Sequence, residues 1–217
     1  MERRFLQSHY DTFGIEERAG KPVIVGYASV FFDPNDAGTE FKLGPNMTER
    51  IMPTAFNRAV MEDDCRALFN HDPSMILGRV GAKTCRLSVD AKGLRYEIDP
   101  PDTQLGRDLV ESIRRGDISG SSFGFRVRKS TWREIDQGQG KPKALIREID
   151  DAQIYDVGPV TFPAYASSQT GIRSADASIV VDGLEEERRR FLGEIENLAV
   201  PEVRAKLLQL MSLDLNQ

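Results

Sequence analysis

Histidine is nearly absent from this chain: of 217 residues only His9 and His71 carry an imidazole. Any chemistry that needs an imidazole base is therefore confined to two positions. Cysteine is as rare, with Cys65 and Cys85 alone. Two thiols at that spacing match no common zinc pattern, and a Cys65, His71, Cys85 set is set aside on the same ground. Without an export signal, two reduced thiols in a cytosolic setting are expected. There is no basic excess: the net charge is −5, with 29 Lys and Arg against 34 Asp and Glu. That argues against nucleic acid as a partner. No apolar run reaches membrane-spanning length, and the opening MERRFLQSHY lacks the apolar core of a signal peptide. The nucleophile elbow G-x-S-x-G is missing as well.

What is present is enough apolar residue, 40% of the chain, to build a core. Residues 22–31, PVIVGYASVF, read as a strand, and 33–46 as a polar loop rich in turn residues. Residues 52–61 read as a short helix with Pro53 in its first turn. Residues 65–72 read as a buried strand ending at His71. Residues 83–99 read as a hairpin around DAKG. The clearest helix is 103–118, with Leu105, Leu109 and Ile113 on one face and Gly116 past its end. A strand over 122–135 and a strand or strand pair from Ala144 follow. Several strands with two helices suggest an α+β domain or a barrel with helical decorations. Beyond residue 170 the character changes to a linker-like stretch and two amphipathic helices. This gives a division into a domain of residues 1–170 and a tail of 171–217.

One stretch concentrates hydroxyls. GDISGSSFGF, residues 116–125, holds Ser119, Ser121 and Ser122 between glycines at the mouth of a strand. A tight turn uses such residues. So does a nucleophile placed beside backbone N–H groups. The serines need a base, for which His71 in LFNHDP is the candidate, and a group to orient it. Asp72, Glu148, Asp150, Asp151 and Asp156 are all acidic candidates for that group. In an extended strand Ser122, Gly124 and Arg126 share one face, which makes Gly124 a place for a substrate backbone beside the hydroxyl.

The order of ERIMPTAFNRAV, LFNHD, GLRYEID, IRRGDISGSSFGFRV and DVGPVTFPAY resembles the prohead proteases of tailed bacteriophages. These capsid-maturation enzymes are related in fold to the herpesvirus assembly proteases. The resemblance covers about residues 20–170. It implies a serine protease with a compact β-barrel flanked by helices, followed here by the C-terminal helical tail. His71 falls on the family's histidine. The pattern G-x-S-[FI]-G-F places the nucleophile on Ser122, and Asp156 falls where the family carries its acid. Gly158 stands where that segment usually has serine. The expected partners are the major capsid and scaffold proteins of the prohead, with self-association through the tail. The expected location is the host cytoplasm, inside the immature capsid. The resemblance implies no metal and no cofactor. A non-enzymatic assembly or scaffolding module built on the same domain is the alternative.

Overall fold

Two long strands, paired with each other along nearly their whole length, organise the molecule. The computed structural model describes residues 1–7, 13–44, 46–136 and 143–162 (of residues 5–7 only the backbone). In chain order the strands are β1 (Glu2–Gln7), β2 (Gly14–Arg18), β3 (Lys21–Val30), β4 (Glu40–Gly44) and β5 (Met47–Ile51). The short helix α1 (Ala59–Glu62) and strands β6 (Arg66–Leu68), β7 (Ile76–Arg79), β8 (Cys85–Val89) and β9 (Gly93–Ile98) come next. Helix α2 (Gln104–Arg114), β10 (Gly120–Ile135) and β11 (Ala144–Val160) complete the described fold. β10 and β11 pair antiparallel from Gly120↔Val160 to Ile135↔Ala144. The first six residues of β10 are buried without alternation, as in a strand covered on both faces, and its distal half is mostly exposed.

The larger sheet runs β1-β10-β11-β5-β4, with β6 and then β7 branching from β11. A separate antiparallel sheet runs β2-β3-β9-β8. Neither sheet closes on itself, so the expected β-barrel is corrected to two open sheets flanked by helices. The reason lies in β11. One stretch of it, Leu145–Ile149, pairs in parallel with β5, and another, Asp156–Val157, pairs in parallel with β6. The sheet forks there. Among the described residues β1, β4 and β7 are the ends of this forked sheet.

Between the sheets lies one apolar core. Phe31, Phe56, Phe123 and Phe125 form a chain of rings with centroid separations of 6.0, 5.8 and 4.8 Å. Leu109, Val110 and Ile113 of α2 are buried against the same core, and Thr103 caps the helix by accepting from the Gly106 N–H at 3.3 Å. Gly116, at φ +81, follows the helix as a left-handed terminator. The 83–99 hairpin forms as β8 and β9. The Asp90 carboxylate accepts from the N–H groups of Lys92 and Gly93 at 2.8 and 3.0 Å, which fixes its turn.

Other expectations shift. The 52–61 helix contracts to the single turn of α1, and the residues before it form hydrogen-bonded turns. The 65–72 strand stops at Leu68, and the 33–46 loop ends in β4. β1 and β2 have no counterpart in the sequence reading. The domain boundary at 170, both tail helices and His9 lie outside the described residues.

The backbone around Gly158 gives a physical reason for glycine at this position. Its φ is +156, and a Cβ built there would stand 2.0 Å from the Leu68 carbonyl oxygen. The chain leaving β6 passes directly over this position, so no side chain fits. Gly158→Ala is expected to cost about 2 kcal/mol or more through overpacking against backbone. For a domain of this size that is a fall in melting temperature of about 4–8 °C, measurable by calorimetry.

Candidate active site

Directly opposed residues of an antiparallel pair point to the same face. β10 and β11 oppose Ser122 to Gly158 and Gly124 to Asp156. Ser122 and Asp156 are therefore diagonal neighbours on one face. Diagonal side chains are separated by roughly 7–8 Å, too far for contact and about right for one imidazole between them. β6 supplies it. β6 lies beside Asp156 and Val157 and turns at once into residues 69–75, which carry His71 over the gap.

That turn is held by its own hydrogen bonds. Asn70 and His71 both adopt left-handed backbone, φ +54 and +57, a conformation that costs energy and that Asn and His tolerate better than most residues. The Asn70 N–H donates to the Pro159 carbonyl at 3.1 Å. The Asn70 carboxamide accepts from the Thr161 N–H at 2.8 Å and donates to the Thr161 hydroxyl at 3.0 Å. Asp72 N–H closes on the Phe69 carbonyl at 3.0 Å. The strained turn is thus fastened to the end of β11, which also carries Asp156.

The result is a continuous polar chain. His71 Nε2 lies 2.5 Å from Ser122 Oγ, and His71 Nδ1 is hydrogen-bonded to Asp156 Oδ1. Three residues far apart in sequence, all singled out from it, are brought together. With Nδ1–H donated to the carboxylate, Nε2 is left as the acceptor facing the serine. Asp156 and His71 are almost wholly buried, and Ser122 is 0% exposed. Ser122 Oγ also lies 2.9 Å from the Arg4 carbonyl oxygen of β1 and donates to it.

The competing candidates are occupied elsewhere. Ser121 points the other way, its hydroxyl 2.7 Å from the Tyr96 hydroxyl, whose pKa burial pushes up. Ser119 is exposed before β10. Asp72 caps its own turn by accepting from Ser74, and these hydrogen bonds hold its carboxyl below the ordinary value. Glu148 pairs with Arg133 at 2.7 Å, Asp150 accepts from Thr131 at 2.9 Å, and Asp151 faces Arg128 at 3.5 Å. Cys65 and Cys85 are core residues. Burial raises both thiols, Cys85 to about 12. Among the described residues no three His, Cys, Asp or Glu side chains form a metal-holding group.

Two expectations change. The register with β11 shifts between Gly124 and Phe125, where Tyr155 of β11 is the extra residue, and Arg126 beyond it is exposed. The space above Gly124 belongs to Asp156, not to a substrate: a Cβ there would stand 2.3 Å from Asp156 Oδ2. The contact the sequence reading missed is that of β1. No local signal marks it, because its partner lies 118 residues away.

Residues 9–180 match the model of a family described as Caudovirus prohead serine protease. No curated protein and no solved structure matches the chain.

Gly124→Ala should act on the site without replacing any member of the polar chain. The added methyl displaces the Asp156 carboxylate from His71. The strongly deshielded His71 Nδ1–H proton resonance expected of the wild type should be lost in the variant, while the rest of the spectrum stays folded. Persistence of that resonance would show that the carboxylate has room to spare.

Proposed function

Because this chain belongs to the Caudovirus prohead serine protease family, through a match spanning residues 9–180, we propose that Ser122, His71 and Asp156 are the working residues of a capsid-maturation endopeptidase. The observation that carries this reading is the unbroken run of hydrogen bonds from Ser122 Oγ through His71 to Asp156. In the reaction, Ser122 Oγ attacks the peptide carbonyl carbon as its proton passes to His71 Nε2. The carbon–nitrogen bond breaks, and the imidazolium returns that proton to the leaving amine. Water then attacks the acyl carbon, gives one proton to His71 and releases the new carboxyl. The serine finally takes its proton back. Asp156 performs no bond-making. It holds the Nδ1–H tautomer and balances the imidazolium charge.

The substrates in this reading are segments of the scaffold protein, the major capsid protein and the protease itself, cut inside the immature shell in the host cytoplasm. Residues 171–217 serve packaging or self-association, so that activity is confined until a shell has formed. One observation favours the rival, a non-enzymatic assembly module: a serine with 0% exposure meets no substrate as it stands.

Cleavage of a capsid or scaffold substrate, followed by mass spectrometry of the new termini, separates the two. Ser122→Ala and His71→Ala should each lose about a thousandfold or more in rate, and the double variant should be no worse, because residues acting as a unit are not additive. Asp156→Asn should retain more activity than either. A folded Ser122→Ala protein that still cuts would defeat the reading. Truncation after Thr170 should leave cleavage in solution intact while lowering incorporation into assembling shells, measured by quantifying the protein in purified particles.

A further inference from the structure

β1 lies across Ser122 in the way an extended peptide would. It runs antiparallel to β10 from Glu2↔Phe125 to Gln7↔Gly120, with Phe5 opposite Ser122. Its Arg4 carbonyl takes a hydrogen bond from the Ser122 hydroxyl at 2.9 Å. A hydroxyl has one proton. The Arg4 carbonyl, at 2.9 Å, competes for it with His71 Nε2, at 2.5 Å, so the contact works against the first step of the proposed chemistry.

We propose that the β10 edge beside Ser122 is the docking surface for an extended peptide substrate, and that β1 is its resident, autoinhibitory occupant. This rests on the reading of Ser122 as the nucleophile. Strand addition to a sheet edge recognises backbone first, which suits a substrate segment of unfolded chain. Among the described residues β1 pairs with β10 alone and forms the end of its sheet. A strand at that position can leave without opening any other pairing among the described residues.

The side chains holding β1 suit a latch. Arg4 Nε lies 2.5 Å from Glu49 Oε1, and its second arm reaches Glu49 Oε2 at 2.9 Å. Arg147 reaches Glu2 at 2.9 Å and Glu49 at 2.8 Å. Glu49 and Arg147 are both 0% exposed. A buried charge stripped of its partner is severely destabilising. Here the four charges divide into two neutral halves. Arg4 and Glu2 are themselves in contact at 2.9 Å and depart together with β1. Glu49 and Arg147 stay behind, still paired. Release therefore strands no charge on the body of the protein. Burial works against ionisation of Glu2, yet the hydrogen bond from Arg147 and the charges of Arg4 and Arg147 hold its carboxyl below the ordinary value, so the latch is charged at neutral pH.

The test uses full-length protein, a fluorophosphonate probe that labels a reactive serine, and backbone amide exchange at β1 and β10. Wild type should label slowly. Glu2→Ala and Glu2→Lys, which weaken the grip of Arg147, should label about tenfold faster or more, with amide exchange rising together in β1 and β10. Glu2→Gln keeps the side-chain volume and should fall between. The free heptapeptide MERRFLQ should slow labelling of Glu2→Ala, and a scrambled peptide should not. Ser122→Ala should label in no background. Equal labelling of wild type and variants, with β1 released only in the variants, overturns the occupant and leaves the nucleophile standing. Released β1 with no labelling at all overturns both. Unchanged exchange at β1 in both Glu2→Ala and Glu2→Lys overturns the latch.

Discussion

The antiparallel pairing of β10 with β11 is the constraint on which the rest depends. It sets Gly124 against Asp156 and Ser122 against Gly158, and it does so by backbone hydrogen bonds rather than by the polar side chains themselves. A slip of one residue would turn Ser122 into the core and Phe123 out of it. The register is secured by what that slip would cost: Phe123 and Phe125 are 0% exposed and stack in the central chain of rings. Burying one such aromatic is worth roughly 1.5–3 kcal/mol. Apolar packing on one face of β10 therefore positions the hydroxyl on the other.

A polar chain inside a core is costly unless each group finds a partner. Here the partners are one another. Asp156 receives the imidazole N–H, the imidazole faces the hydroxyl, and the hydroxyl ends on a main-chain carbonyl. Two glycines make the packing possible by absence. At Gly124 a methyl would push the carboxylate off the histidine, and at Gly158 it would collide with the chain that carries the histidine. The strain of two successive left-handed residues is offset by the Asn70 bonds to Pro159 and Thr161, so the turn keeps one geometry.

The candidate site was more legible in the sequence than the fold around it. Ser122, His71 and Asp156 sit in short runs, SSFGF, FNHD and YDVG, whose order survives any rearrangement of sheets. The hairpin of β8 and β9 and helix α2 were legible because turn residues, caps and periodicity act over a few positions. Closure into a barrel was not, since it depends on which distant strands share an edge, and here β11 gives one stretch to β5 and another to β6. β1 was illegible for the same reason. RRFLQ has no alternation, and the feature that makes it a strand is an unpaired edge of β10 far along the chain. Gly124 was read correctly as a residue that must lack a side chain, but for the wrong neighbour.

An exposed serine–histidine pair and a buried one differ in what they ask of the protein. An exposed pair is ready for any peptide, including the unfolded segments of its own chain and of subunits not yet assembled. A buried pair needs an opening step, and that step must be cheaper than unfolding. Edge strands satisfy this, because their removal breaks one ladder and leaves the sheet behind it intact. The charge arrangement around β1 lowers the cost further, since each side of the separation keeps its own ion pair. The same edge that receives β1 offers recognition through the backbone, which tolerates varied side chains. Occupancy of one edge by either the chain's own strand or a substrate strand would then couple latency and substrate binding in a single equilibrium. In the proposed reading, crowding substrate segments inside a shell would raise their effective concentration against an intramolecular competitor. Confinement alone would shift that balance, with no change in the chemistry of Ser122.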